Sequence, residues 1–547
     1  MAVFVKLLPA AALFVAAATS LGAQETKPAA GAAPGAAAAP AAPACDAASP
    51  SNGNAVRANL SLQLALKDQK TNPANSAKNL SSVIKLLETD KSTTPDRAYV
   101  MGAALALWMG QPNVGLSPKR SVVGYTTNPD AAVNLPSTID SLFKIVEASK
   151  PGCSYYTAYW RGGQQTFLDL VNGAIAAINA EKLDSAQYYA TQANTLYSGS
   201  PYPSMVLGNI ANKRNNNADA VKFWTVSAEA AAADTSYRDV ERQVLGNIAS
   251  VHLNAARDAS TPKAAQVEAA KRAADIYGKL VAIPGTKGSY LNVGRQNLQA
   301  ALLLAGDTAS VVKSYQSMLS NPTQYDYQDL LNSAVSAAKA NKAADAAKLF
   351  EGVLAVNPFN RDALFNLAVE YLTLGQNDKV APIVTRLVVV DPGNPENYLL
   401  AARAYVDLGK SRKGPAATAT NDSTLTWYNK GSKLPVDVSF TEFTPGDKTL
   451  DIAGTVLDRR DKAASSDETT SGPAKGAKGK AAAKPAAKAG ASFSAKPVTL
   501  KFEALDKAGA VLGAQSVTTE ALQPGKTATF KVSIPAANAA AYRYTFE

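Results

Sequence analysis

Few residues in this 547-residue chain have the types and spacing that covalent or acid–base chemistry needs. The single histidine, His252, sits between the apolar Val251 and Leu253 near the end of a helical stretch, a position for a surface or packing role. A zinc site needs ligands at short, fixed spacings, and neither HExxH nor CxxC occurs. There is no GxSxG elbow, no phosphate-binding P-loop and no GxGxxG turn. A Cys–His nucleophile pair is formally available, but two cysteines in an exported chain pair with each other more readily. The acidic neighbours Asp239 with Glu241, and Asp362 with Glu370, read as ordinary solvated helix charges. No catalytic residue, metal ligand or cofactor is therefore expected. A non-enzymatic protein is the leading reading, and an enzyme with a site invisible in the sequence ranks third.

Two other chemistries deserve weight. The net charge is +11, but residues 462–496 alone carry seven lysines against Asp467 and Glu468. Such a segment attracts polyanions by releasing counterions. It holds one aromatic, Phe493, and no stacking series, so nucleic acid is not an expected partner. Weak contact with an anionic envelope surface is its functional reading. The second chemistry is amide recognition. The string VLGNIA occurs at 206–211 and again at 244–249, bringing Asn209 and Asn247. An Asn side chain offers both a donor and an acceptor, the pair needed to hold a peptide backbone.

The N-terminus supplies the compartment. Lys6, the apolar Leu7–Ala18 and Leu21-Gly22-Ala23 before Gln24 fit a signal peptide over 1–23. The apolar run is too short to span a bilayer, and no later stretch is long enough. The mature chain is thus expected to be exported, periplasmic or secreted, without a transmembrane segment. Residues 24–44 are nearly all Ala, Pro and Gly and read as a disordered linker. Cys45 and Cys153 then predict one disulfide in an oxidising compartment.

The elements that must position these residues are helices over most of the chain. From about 55 to 433, apolar residues recur at helical spacing, with Pro and Gly between the segments. The stretches Ala55–Asp68, Ser76–Thr89, Asp96–Met109 and Ser137–Ala148 are expected helices, with a long loop over 111–136. A 34-residue period relates Pro358 to Pro392, Ala368 to Ala402, Tyr371 to Tyr405 and Gly375 to Gly409. Ala334 precedes Ala368 by the same interval, and Ala186 precedes Ala220.

A period of 34 with helix–turn–helix content resembles the tetratricopeptide repeat family, of an exported bacterial type. Leu364, Leu367, Ala368 and Tyr371 match the first-helix pattern; Ala346, Phe350 and Pro358 match the second. In VLGNIA, Leu207-Gly208 and Leu245-Gly246 fall on the large–small pair where two helices approach. The resemblance implies an α-solenoid, a right-handed superhelix over 165–434, preceded by degenerate helical repeats over 45–164. It also implies a groove that binds protein or peptide partners, lined by Met205 and Asn209, Gln243 and Asn247, Phe365 and Val369, and Leu399 and Arg403. Some family members clamp a peptide carboxylate with Lys and Asn. Here Asn209 and Asn247 match the Asn, but Met205 and Gln243 replace the Lys, so an amide-plus-apolar groove is expected.

After Val436 the period switches to two, in VDVSFTEF, KTLDIAGTVLD, PVTLKFEALD, AVLGAQSV, KTATFKVSI and AYRYTF. Six short strands predict a small β-sandwich over 435–547 with a disordered Lys/Ala-rich insertion at 463–495. The stretches LKFEALDKAGAVLG and LQPGKTATFKV loosely resemble small bacterial modules of the FxLYD, immunoglobulin-like kind. The whole reads as a mainly α scaffold that binds partners through its solenoid. The alternative is an envelope attachment or assembly factor that uses the basic loop and the sandwich.

Overall fold

The computed structural model describes residues 45–51, 53–90, 92–461 and 494–547. The expected signal peptide, the 24–44 linker and residues 463–493 of the lysine-rich insertion lie outside the described residues. Two compact units divide the described chain: 45–255 with 275–286, and 256–274 with 287–547.

The first unit begins with α1 (Gly53–Asp68), α2 (Pro73–Glu88), α3 (Pro95–Met109), the one-turn α4 (Arg120–Val123), α5 (Leu135–Ser149) and α6 (Ser154–Gly162). Every residue of α3 from Ala98 to Met109 is buried. A helix apolar all round belongs at the centre of a core, and α3 packs against α1, α2 and α5 there. The expected disulfide is present between Cys45 and Cys153, which are 108 residues apart. One carboxylate, Glu88 of α2, ties down the 111–136 loop. Glu88 accepts from the Thr126 N–H and hydroxyl and from the Thr127 N–H (2.6–3.1 Å), and from Arg120 Nη2 at 2.9 Å. Burial opposes its ionisation, but the hydrogen bonds from Thr126 and Thr127 outweigh burial and hold the carboxyl at about 2.

Helix pairs follow: α7 (Gln165–Asn179) with α8 (Leu183–Leu196), α9 (Pro201–Lys213) with α10 (Asn217–Ala232), and α11 (Arg238–Arg257) with α12 (Lys263–Ala282), whose residues up to Ala274 belong to the second unit. Four more lie in the second unit: α13 (Gly288–Ala305) with α14 (Thr308–Ser320), α15 (Tyr327–Lys339) with α16 (Ala343–Val356), α17 (Arg361–Thr373) with α18 (Asn377–Val390), and α19 (Pro395–Gly409) with α20 (Pro415–Ser432). Among the described residues no helix is long and apolar enough to cross a membrane.

The local chemistry explains the breaks. Asn72, Asn134, Asn216, Asn360 and Asn394 each accept a first-turn N–H, satisfying donors that a helix start leaves unpaired. The turn inside each pair is even more regular. Glu181, Asn215, Gly306, Asn341 and Gly375 all have positive φ. Just after each, an N–H reaches back six residues inclusive: Lys182 to Ala177 O, Asn216 to Ala211 O, Asp307 to Leu302 O, Lys342 to Ala337 O and Gln376 to Tyr371 O, at 2.8–2.9 Å. This left-handed cap closes the first helix and redirects the chain into the second.

Small residues mark the closest helix approaches. Ala334 and Ala368 are fully buried at the expected position, as is Ala174, 34 residues before Gly208. The two VLGNIA copies differ here. At Gly208 an added Cβ would stand 2.5 Å from Trp224 Nε1, whereas at Gly246 it would meet only Leu280 Cδ1, at 3.5 Å.

In the second unit six strands follow the repeats: β1 (Val436–Pro445), β2 (Thr449–Asp458), β3 (Thr499–Leu505), β4 (Val511–Thr518), β5 (Thr527–Pro535) and β6 (Ala541–Phe546). They form two antiparallel sheets, ordered β1-β2-β5 and β4-β3-β6. Their inward residues share one core, in which Phe440 contacts Phe502, Phe530, Tyr542 and Tyr544.

Candidate functional site

The residues expected in a groove divide between the two units. In the first, Met205 is only 3% exposed. Asn209 is half-buried, and its Oδ1 accepts from Trp224 Nε1 at 2.9 Å. The first VLGNIA copy is thus occupied by its own repeat: Gly208 makes room for the indole and Asn209 fixes its N–H. Gln243 and Asn247 are half-buried on α11, four residues apart and so on one face. No described residue supplies a hydrogen-bond partner to the Asn247 amide.

In the second unit Phe365 is 6% exposed and belongs to the core, which corrects its expected place on an open wall. Val369 and Leu399 are half-buried, and Arg403 is exposed with no acidic partner among the described residues. Leu399, Arg403 and Val406 succeed one another at i, i+4 and i+7, so α19 presents them along a single line. Val406 is 49% exposed. The accessible part of this wall is an apolar strip carrying one unpaired guanidinium.

A second constellation had no counterpart among the expected site residues. It lies where the turns before α17 and α19 meet the sheets. Arg361 Nε donates to Asp391 Oδ2 at 2.8 Å, and Arg361 Nη1 donates to Asp362 Oδ1 at 2.9 Å. Tyr544 donates to Asp391 Oδ1 at 2.7 Å and accepts the Gly393 N–H at 2.9 Å. Asn357 Nδ2 donates to Ala540 O, and the Val438 N–H donates to Gly393 O. Lys507 reaches Asp326 in the turn before α15, at 3.5 Å. The sheets therefore dock along three successive inter-repeat turns of this unit.

The electrostatics follow from burial. Desolvation disfavours the Arg361 charge, but Asp391 and Asp362 more than restore it, so the guanidinium stays protonated. Burial raises the Asp362 carboxyl, with Arg361 opposing, and pushes the Tyr542 and Tyr544 hydroxyls well above their ordinary value. Tyr542 lines a small cleft with Phe359, Asp362 and Phe443, and its buried hydroxyl has no hydrogen-bond partner among the described residues.

Three carboxylates expected to be solvated are not. Glu370 is 3% exposed, and burial lifts its carboxyl to about 7. Glu241 is buried and paired with Arg238, and Asp362 is held by Arg361. Only Asp239 of the four is openly exposed.

The left-handed cap recurring at 34-residue intervals, from Glu181 to Asn215 and from Asn341 to Gly375, is the deciding observation. The helical part is a tetratricopeptide-like repeat array. Solved structures of similar kind include a tetratricopeptide repeat protein from Parabacteroides merdae ATCC 43184, at 13% identity and a TM-score of 0.28 over 48% of this chain and all of that one. The TPR domain of P58(IPK) matches at 12% identity and a TM-score of 0.19, over 65% of this chain and all of that one. No protein-family model matches the chain, and no curated protein does.

Proposed function

We propose that this chain is an exported, non-enzymatic scaffold that binds a protein partner by an extended or helical peptide segment laid on the first-helix face of its repeats. The observation that carries the reading is the α17–α19 wall. Val369, Leu399 and Val406 offer apolar contact area, and Arg403 offers five unpaired N–H donors suited to a carboxylate. An acidic or carboxylate-terminated peptide with apolar flanks fits that surface. In the first unit, Gln243 and Asn247 add an amide pair of the kind that holds a peptide backbone without reading its sequence. The disulfide is compatible with the oxidising destination that the expected signal peptide implies.

Photocrosslinking in the full-length chain tests this. A crosslinking residue at Val369 or Leu399 should trap a partner from an envelope extract, and one at Val389, exposed on the second helix α18, should not. Arg403→Glu should weaken capture at 369 at least tenfold, since it sets a like charge against an acidic peptide. Equal trapping at 369 and 389, or trapping unaffected by Arg403→Glu, would remove the support for the groove.

A further inference from the structure

The first helix, α1, carries more apolar bulk on its outer side than on its inner one. It buries Ala55, Ala58, Leu62 and Ala65 against α2 and α3. On the opposite side Val56 is 39% exposed, Leu60 65% and Leu64 45%. A surface helix ordinarily turns polar residues outward. At about 100° per residue, Val56 and Leu64 stand about 40° to either side of Leu60, so the three make one strip with about 12 Å of rise. Exposed aliphatic residues scattered singly are ordinary, whereas a continuous row over successive turns marks a contact surface.

The charges around this strip have one sign. Lys67 stands about 20° from Leu60 around the helix and Arg57 about 60°, and both are exposed. Asp68 lies further round, and its carboxylate accepts from Asn75 Nδ2. The following turn and α2 add the exposed Lys70, Lys78 and Lys85, while Glu88 is committed to the 111–136 loop. That charge pattern decides the occupant. A second copy of the chain would set Arg57 and Lys67 against more cations with no carboxylate on the strip to offset them. A peptide docks in a groove or along a sheet edge, and this strip is the crest of a single helix. An anionic lipid surface needs no walls. It takes shallow aliphatic side chains at the headgroup boundary, while Lys and Arg stems carry their charges out to the phosphates.

We propose that α1 is a membrane-surface contact: Val56, Leu60 and Leu64 enter the headgroup boundary of an anionic bilayer, and Arg57 and Lys67 pair with lipid phosphates. The helix lies on the bilayer and does not cross it. The contact uses none of the residues assigned to the partner-binding face, so its failure would leave that reading intact.

The test uses the full chain with its disulfide intact and the environment-sensitive dye nitrobenzoxadiazole on Leu60→Cys. Vesicles of phosphatidylglycerol and phosphatidylcholine in equal parts should shift the emission to the blue and brighten it. Vesicles of phosphatidylcholine alone should not. The same dye on Val226→Cys, exposed on α10, should stay unchanged, which separates insertion of α1 from tethering by another segment. Arg57→Gln with Lys67→Gln should raise the anionic lipid needed for the response at 60 by about thirtyfold. Unchanged emission at 60 on anionic vesicles would overturn the proposal, as would an equal response at 226, an equal response to neutral vesicles, or indifference to the charge substitutions. Blue-shifted emission at 60 before lipid is added would also overturn it, because protein would then cover the strip.

Discussion

The two copies of VLGNIA make a stringent internal comparison, because the same substitution should have opposite effects in them. At Gly208 a methyl group would lie 2.5 Å from Trp224 Nε1 and 2.8 Å from Cγ. Carbon contacts are comfortable at about 3.5–4.0 Å, so the indole must retreat by roughly 1 Å. Overpacking of this kind costs about 1–3 kcal/mol. The retreat also breaks the Trp224–Asn209 hydrogen bond of 2.9 Å, worth about 1 kcal/mol. Alanine's better helix propensity returns about 1 kcal/mol. Gly208→Ala should therefore destabilise by about 1–3 kcal/mol. At Gly246 the nearest atom is Leu280 Cδ1 at 3.5 Å, an ordinary contact, so Gly246→Ala should be neutral or stabilising by up to about 1 kcal/mol. Repeat arrays need not unfold in one step, so the readout must be local. Amide hydrogen exchange in α9–α10 and in α11 measures each site against the parent chain. Equal effects at the two positions, or a stabilising Gly208→Ala, would refute the packing argument.

Other outcomes follow from the buried charges. The folded-state carboxyl of Glu370 is raised to about 7, so its contribution is present below about 4.5 and lost as pH rises through 7. Glu370→Gln should protect α17 amides by up to about 3 kcal/mol more than the parent at pH 8, and by little at pH 5. Glu88 has the opposite sign: held at about 2, it stabilises above about 4.5 and loses this as pH falls towards 2. Thermal unfolding of the parent should fall off between pH 5 and 2.5 more steeply than that of Glu88→Gln. Tyr544→Phe strands the Gly393 N–H and one oxygen of Asp391 in the interior, at about 1–3 kcal/mol for each group. Faster exchange at 391–394 and in β6 would register it. Replacing both cysteines with serine should remove up to about 4–5 kcal/mol from the α1–α5 region, measured by its melting, since the closed loop is long.

Periodic features were legible in the sequence, and features carried by single, distant residues were not. Helices such as α2 and α5 and strands such as β2 and β5 announce themselves by apolar spacing, because burial of one face repeats with the geometry of the backbone. The disulfide was legible because the chain holds only two cysteines. The sheet–repeat junction left no such trace. Arg361, Asp391 and Tyr544 are separated by 30 and 153 residues, and each looks like a solvated residue until the fold encloses it. Glu370 misled for the same reason: a charge on a helix reads as exposed, and only packing against neighbouring elements reverses that. The groove expectation failed in part at Met205 and Phe365, where a position that faces a ligand in the general repeat is covered here by core neighbours.

The Arg361–Asp391–Tyr544 junction also has a mechanical meaning. A stack of repeats changes shape by summing small rotations at each interface between neighbours. Arg361 opens α17 and Asp391 caps α18, so their ion pair ties together the two ends of one repeat, and Tyr544 pins the turn into the next repeat through Asp391 and the Gly393 N–H. The turn that joins α18 to α19 is splinted by the sheets. Twisting or tension in this unit should be taken up at the unbraced interfaces, and the strip formed by Val369, Leu399 and Arg403 should hold its curvature with or without a ligand.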